Sequence, residues 1–333
     1  MIVDHHFHLE EGPYSVEWLR RTAKAIETLE KEAGGFRNRS HSLEWVEELQ
    51  DKLAQRIERG CFSKEWIMYY LERGKQLGIK RFGIVDHLYR FEEFRPYYER
   101  HMIIDDTELG QLQRYWLDRV CTGSIEPYLA AIRALRGEGY PISLGVEADY
   151  FPGGEEELGG LLGRYELDFV IGSVHFIDGW GFDNPQTEYK FEGEDLIAMY
   201  RRLFDHLLGS IRSGLFDIIA HPDNLKVFNY RPDEASLLPM YEEAAAAMKE
   251  AGVATEINTG LAYRYPVKEM CPSPSFLRII HDHGVPITLS SDSHFPDDIG
   301  MLLNEAAALA REVGYEEVVY FDKRERKTVN LKG

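Results

Sequence analysis

IVDHHFHLEE (residues 2–11) opens with the alternation of a β-strand and closes on two histidines spaced two apart. Side chains alternate faces along a strand, so His6 and His8 point the same way, and two adjacent imidazoles suit one metal ion. The same figure recurs along the chain. Short β-branched runs separated by helical periodicity are read as seven strands, at Ile2 to His8, Lys80 to His87, Ile142 to Asp149, Asp168 to His175, Phe216 to His221, Val253 to Asn258 and Val285 to Asp292. Helices are expected between them, as at Ile125 to Glu138, Asp195 to Ser213, Glu234 to Ala251 and Ser275 to His283, with Gly139, Gly252 and Gly284 suited to end them. Parallel strands joined by helical crossovers make this an α/β chain, and 333 residues accommodate one barrel as one domain over 1–333.

Nearly every strand ends in a side chain able to hold a metal. In a closed α/β barrel the carboxyl ends of the strands form one rim, so these residues converge although remote in sequence. His6, His8, His87, His175, His221 and His294, six of twelve histidines, fall there together with Glu147 and Asp292. Mixed imidazole and carboxylate ligands favour zinc, manganese or iron over magnesium or calcium. Eight candidates exceed the needs of one tetrahedral ion, so two or three divalent ions are expected, with a carboxylate such as Glu147 bridging. Such clusters lower the pKa of a bound water toward neutrality and clamp phosphoryl oxygens, which makes hydrolysis by a metal-bound hydroxide the natural chemistry. Asp292 and His294 are read both as ligands and as catalytic groups. Lys226 in HPDNLKVF and Arg264 in NTGLAYRYP follow strand ends and are expected to reach a phosphate oxygen. No GxSxG elbow, P-loop or GxGxxG turn is present, which disfavours covalent and nucleotide-dependent routes.

Composition bounds the partners. With 38 Lys+Arg against 57 Asp+Glu and a net charge of −19, nucleic acid is not expected as a partner. An anionic substrate then needs a local cationic pocket, for which Lys226, Arg264 and Arg90 are the candidates. No apolar run approaches the ~20 residues of a membrane span, and residues 1–11 lack the basic and apolar regions of a signal peptide, so a cytoplasmic location is expected. Cys61, Cys121 and Cys271 are too scattered for a disulfide framework or a CxxC zinc pair. Nothing in the sequence bears on oligomeric state. The 79 residues from His8 to His87 are too many for one crossover, so a helical insertion near the barrel mouth is expected at about 31–64, where HSLEWVEELQDKLAQRIERG has helical periodicity. A second excursion, Tyr89 to Ser124, carries FEEFRPYYERH. Near the C-terminus, Val318 to Phe321 and Thr328 to Leu331 can pair as a hairpin or cover one end of the barrel.

The ordered succession DHHFH, VDH, GVEADY, GSVHF, AHPDN, TEINTG and SSDSH resembles the motif set of the polymerase and histidinol phosphatase (PHP) superfamily and spans Asp4 to His294. Within it, GVEADYFPG, GSVHFIDGWGFDNP and TEINTGLAYR are most similar to motifs of the histidinol-phosphate phosphatases. The resemblance implies a distorted (β/α)7, TIM-like barrel and a trinuclear centre held by His6, His8, His87, Glu147, His175, His221, Asp292 and His294. It also implies hydrolysis of a small phosphorylated substrate, L-histidinol phosphate first. The chain departs from the family at LEEGPYS, where Tyr14 stands in place of a common histidine and Glu11, or Glu10, is expected to substitute as a ligand. The insertion is the other departure, and it opens the alternative of another small phosphate ester, such as a nucleotide or sugar phosphate. An amidohydrolase-like barrel shares the HxH start but places a bridging lysine mid-barrel, where Glu147 stands here. A non-catalytic metal-binding scaffold is disfavoured because such domains lose ligands.

Overall fold

The computed structural model describes residues 2–10, 12–34 and 41–331. Among the described residues eleven strands occur in this order: β1 Ile2–Phe7, β2 Ile79–Ile84, β3 Ile142–Asp149, β4 Phe169–Ser173, β5 Phe176–Ile177, β6 Trp180–Gly181, β7 Ile218–Ile219, β8 Ala254–Asn258, β9 Ile287–Ser290, β10 Glu317–Asp322 and β11 Glu325–Asn330. Seven of them form one parallel sheet in the order β1-β2-β3-β4-β7-β8-β9. Its ends meet beyond the last strand, where the amide of Asp292 donates to the carbonyl of His6 and that of His8 to the carbonyl of Ser293, both at 2.8 Å. The sheet thus curls into the expected seven-stranded barrel, and all seven expected strands are present. β3 is buried along its whole length, which its run of apolar residues anticipates for a strand covered on both faces. Gly145 within it leaves room for the Phe169 ring, which a Cβ would meet at 2.4 Å.

Twelve α-helices surround the sheet: α1 Val16–Glu32, α2 Leu43–Arg59, α3 Lys64–Gln76, α4 Arg95–His101, α5 Glu108–Val120, α6 Glu126–Gly137, α7 Glu155–Leu162, α8 Leu196–Arg212, α9 Leu238–Ala251, α10 Gly260–Arg264, α11 Pro274–Asp282 and α12 Leu303–Val313. The side chain of Asp195 caps α8 by accepting from the amide of Ala198, and α9 stops at Gly252, whose φ of 70° only glycine adopts cheaply. Between β1 and β2 the described residues form three helices. α2 falls within the stretch expected to be inserted, part of which lies outside the described residues. α1 was not anticipated, although Trp18, Thr22, Ala25, Ile26 and Leu29 are its buried stripe and Ser15 caps it.

This added layer is fastened to the end of β1. Trp66 on α3 donates to the carbonyl of Leu9 at 2.9 Å, and Trp18 on α1 and Arg56 on α2 both reach the Glu10 carboxylate, at 2.9 and 2.7 Å. Arg56 also lies over the Trp66 ring at 4.5 Å. At the opposite end of the barrel, β10 and β11 pair antiparallel as the expected hairpin. Val319 and Phe321 of β10 join Val85, Phe169, Ile171, Ile218, Ala220 and Ala254 in one buried apolar cluster. The amide of Phe321 donates to His5 Nε2 at 3.1 Å, so His5 faces this floor while His6 and His8 face the pocket.

Candidate metal centre

Eight side chains at or just beyond the carboxyl ends of six of the seven strands come together at the rim. His6 Nε2 stands 3.1 Å from His8 Nε2, and Glu147 Oε2 lies 3.4 Å from each of these nitrogens and 2.9 Å from His87 Nδ1. Glu147 Oε1 faces His221 Nε2 at 3.2 Å and His175 Nε2 at 3.6 Å. Asp292 Oδ1 closes the other side, 3.4 Å from His8 Nε2 and 3.3 Å from His294 Nε2. His221 and Asp292 hold φ values of 21° and 51°, a conformation costly for non-glycine residues and typical of side chains aimed by a surrounding structure.

Hydrogen bonding alone does not account for this convergence. Glu147 Oε2 is buried with no hydrogen-bond partner among the described residues, despite three imidazole nitrogens close by. Ligands ~2.1 Å from a tetrahedral ion stand ~3.4 Å from one another, and the observed separations centre on that value. Three overlapping groups each bring three ligand atoms within 4.8 Å of one another: His8, His87 and His294; His6, His8 and Asp292; His87, Glu147 and His175. The residues present therefore fit divalent ions.

A layer behind these side chains fixes their orientation. Glu256, on β8, accepts from His6 Nδ1 at 3.0 Å and Ser290 Oγ at 2.5 Å with one oxygen, and from the His221 amide and Asn258 Nδ2 with the other. Asp149 Oδ1 takes His175 Nδ1 at 2.8 Å, and Tyr98 donates to its second oxygen. Such carboxylate–imidazole pairs present the opposite ring nitrogen to a metal. Burial would raise the Glu147 carboxyl, but the His87, His6 and His175 imidazoles hold it well below the usual carboxylate range. Burial likewise opposes the charge on His175, yet Asp149 and Glu147 hold it up to about 10. His8 is pushed well down by burial and by His87 and His294. These groups are poised as one block of compensating charge.

The remaining expectations divide. Arg264 lines the pocket, with Nη2 3.0 Å from Asp292 Oδ2. Lys226 does not. It is 2% exposed and spends its ammonium on Asp223, Glu269 and the carbonyl of Met270, at 2.8, 2.6 and 2.8 Å, so it is a structural cation away from the phosphate pocket. Arg90 is also buried, beside Asp86 at 3.5 Å. Glu10 is committed to Arg56, Trp18 and Tyr14, so it cannot substitute as a ligand without releasing the added helices. Glu11 lies outside the described residues. The sequence reading did not single out the outer wall of the pocket, where Tyr89, Trp116, Phe176 and Asp183 stand. Their signal was faint: Tyr89 and Trp116 belong to the excursion noted before α6, while Phe176 and Asp183 sit in and after the small β5–β6 hairpin. The pocket they complete measures ≈ 250 Å³.

Fold and site together define a class, the α/β barrels that gather a multi-ligand metal centre at their carboxyl rim. The PHP domain profile matches residues 62–260, and the chain belongs to the PHP family. It is 36% identical over 212 residues to a probable histidinol-phosphatase of Deinococcus radiodurans, covering 62% of this chain and 80% of that protein. A probable histidinol-phosphatase of Clostridium acetobutylicum is 26% identical over 190 residues, 55% of this chain and 72% of that one. The crystal structure of histidinol phosphate phosphatase from Lactococcus lactis, complexed with zinc, L-histidinol and phosphate, superposes with a TM-score of 0.59 at 18% identity, over 78% of this chain and 92% of that one. That likeness carries the fold.

Proposed function

We propose that the protein is a metal-dependent phosphomonoesterase that hydrolyses L-histidinol phosphate to L-histidinol and phosphate. The observation that carries the reading is the meeting of six imidazoles with Glu147 and Asp292; four of the imidazoles, His87, His175, His221 and His294, line one pocket together with both carboxylates and Arg264. His6, His8, His87, Glu147, His175, His221, Asp292 and His294 would hold two or three zinc, manganese or iron ions, with Glu147 facing five of the imidazoles. Bound ions supply the activation of water and the charge stabilisation for in-line displacement at phosphorus. Arg264 Nη2, fixed by Asp292 Oδ2, orients a phosphoryl oxygen. Glu256 and Asp149 keep His6 and His175 in the tautomers that present Nε2 to the pocket. The aromatic outer wall excludes water from the leaving-group side. The kinship with two probable histidinol-phosphatases supports the choice of substrate.

Phosphate release from L-histidinol phosphate, from a panel of nucleotide and sugar monophosphates and from one phosphodiester tests this, using protein of measured metal content. A preference for L-histidinol phosphate that disappears in His175→Ala is the expected result. Turnover confined to another monoester would replace the substrate, and a metal-loaded protein inert toward every ester would overturn the catalytic reading.

A further inference from the structure

Of the seven barrel strands, β8 sends none of the eight side chains to the rim. It sends Glu256 and Asn258 instead, two apart and therefore on one face, both fully buried behind the centre. Each Glu256 oxygen already accepts two hydrogen bonds. Asn258 makes three of its own: Nδ2 donates to Glu256 Oε1 at 2.8 Å and to Asp292 Oδ2 at 3.2 Å, and Oδ1 accepts from the amide of Gly260 at 2.8 Å. This orientation is forced, because a flipped amide would set its oxygen against two carboxylates and its hydrogens against an N–H. The main chain of Asn258 is held as well, exchanging hydrogen bonds with Cys271 at 2.7 and 3.0 Å, so the side chain is a fixed point.

The consequence falls on Asp292. Its Oδ2 is filled by Asn258 Nδ2 and by Arg264 Nη2, the latter at 3.0 Å. Its Oδ1 is the oxygen turned toward His8 and His294, at 3.4 and 3.3 Å. The residue type at 258 follows from the same contacts. Two carboxylates lie within hydrogen-bond reach of one atom, so the group between them must donate twice, carry no negative charge and still accept from Gly260. Among side chains of this length the asparagine amide does all three, whereas a serine has one proton to donate and an aspartate none.

We propose that Asn258 is a positioning residue of the metal centre: it withholds Asp292 Oδ2, leaves Oδ1 to the ions, and ties that setting to Glu256 and so to His6. This rests on the metal-centre part of the phosphomonoesterase reading. β8 thereby brings no ligand of its own and fixes ligands that come from β1, from the turn after β7 and from the turn after β9.

The test is metal binding by the full chain after its ions have been stripped. Zinc affinity is read by competition with a chromogenic chelator, and the visible absorption of the cobalt(II) form reports the number of ligands. Asn258→Ala is expected to weaken zinc by about 10- to 100-fold, the usual effect of removing a partner behind a ligand, and to change the cobalt spectrum. Asn258→Asp keeps the shape and adds a charge, yet should weaken zinc as well, because the donor is what is lost. Val319→Ala, in the apolar cluster at the barrel floor, is the control for general destabilisation and should keep the wild-type affinity and spectrum. Wild-type affinity and spectrum in Asn258→Ala, tighter zinc in Asn258→Asp, or an equal loss in Val319→Ala would each overturn the inference. A wild-type chain that takes up neither zinc nor cobalt would instead sink the metal centre itself.

Discussion

Glu147 occupies the point on which the charge balance of the site depends. Both its oxygens face imidazoles, and its neutral isostere would leave those rings without a counter-charge. Glu147→Gln is expected to lower kcat/KM by about 10³ or more and to lose at least one ion per chain, measured by elemental analysis; full metal content with full activity would remove it from the centre. Gly260 tests the wall opposite. A Cβ at this position would meet Asp292 Oδ2 at 2.8 Å and Arg264 Nη2 at 3.0 Å, so Gly260→Ala should displace the guanidinium and raise KM about tenfold with little change in melting temperature. Charge reversal at Arg264 should cost more than tenfold in kcat/KM, and an unaffected enzyme would take Arg264 out of the site. At this scale the sequence was most legible where geometry is forced. The two-residue spacing of His6 and His8 dictates a shared face. Lys226 was misplaced because nothing near it in sequence announces that Glu269 will fold over it. Asp183 escaped notice because a carboxylate in a loop carries no period.

At the scale of elements, barrel strands were readable because burial on both faces leaves nearly continuous apolar runs, and their ends were marked by the rim residues. The β5–β6 hairpin, with two residues per strand, is too short for any pattern to show. α1 had a readable stripe and a serine cap, but the long crossover was interpreted from the charged stretch that follows it. One ion-pair lock holds two segments beside the site. Lys226 ties the turn after β7 to the segment ahead of α11, and Lys226→Met leaves Asp223 and Glu269 without their common cation. That variant should lose about 3 kcal/mol in urea unfolding, while KM for a phosphate ester stays unchanged. A raised KM would return Lys226 to the phosphate pocket.

For the whole molecule, the floor and the rim are sensitive to different conditions. His5 is held neutral, down at about 3, by burial and by the nearby His6, against an ordinary value near 6.5. A folded pKa below the unfolded one means that the unfolded chain takes up the proton first, so stability declines as pH falls from about 6.5 toward 3. The His5 contribution amounts to about 2 kcal/mol lost by pH 5. Urea midpoints at pH 7 and pH 5 should therefore differ less in His5→Gln, which keeps an acceptor for Phe321, than in the wild type; equal differences would rule His5 out as the source. None of the helices among the described residues is long and apolar enough to cross a membrane.

The closure between β1 and the turn after β9 has a consequence in time. His6 and His8 leave the ribosome well before Asp292 and His294, which follow on the order of tens of seconds later at roughly 5–20 residues per second. Until the late strand docks, the early histidines form half a chelate. Loading of the two groups that need Asp292 or His294 therefore follows synthesis of β9, and a nascent chain stalled ahead of Asp292 should hold fewer ions against a mild chelator than the finished chain.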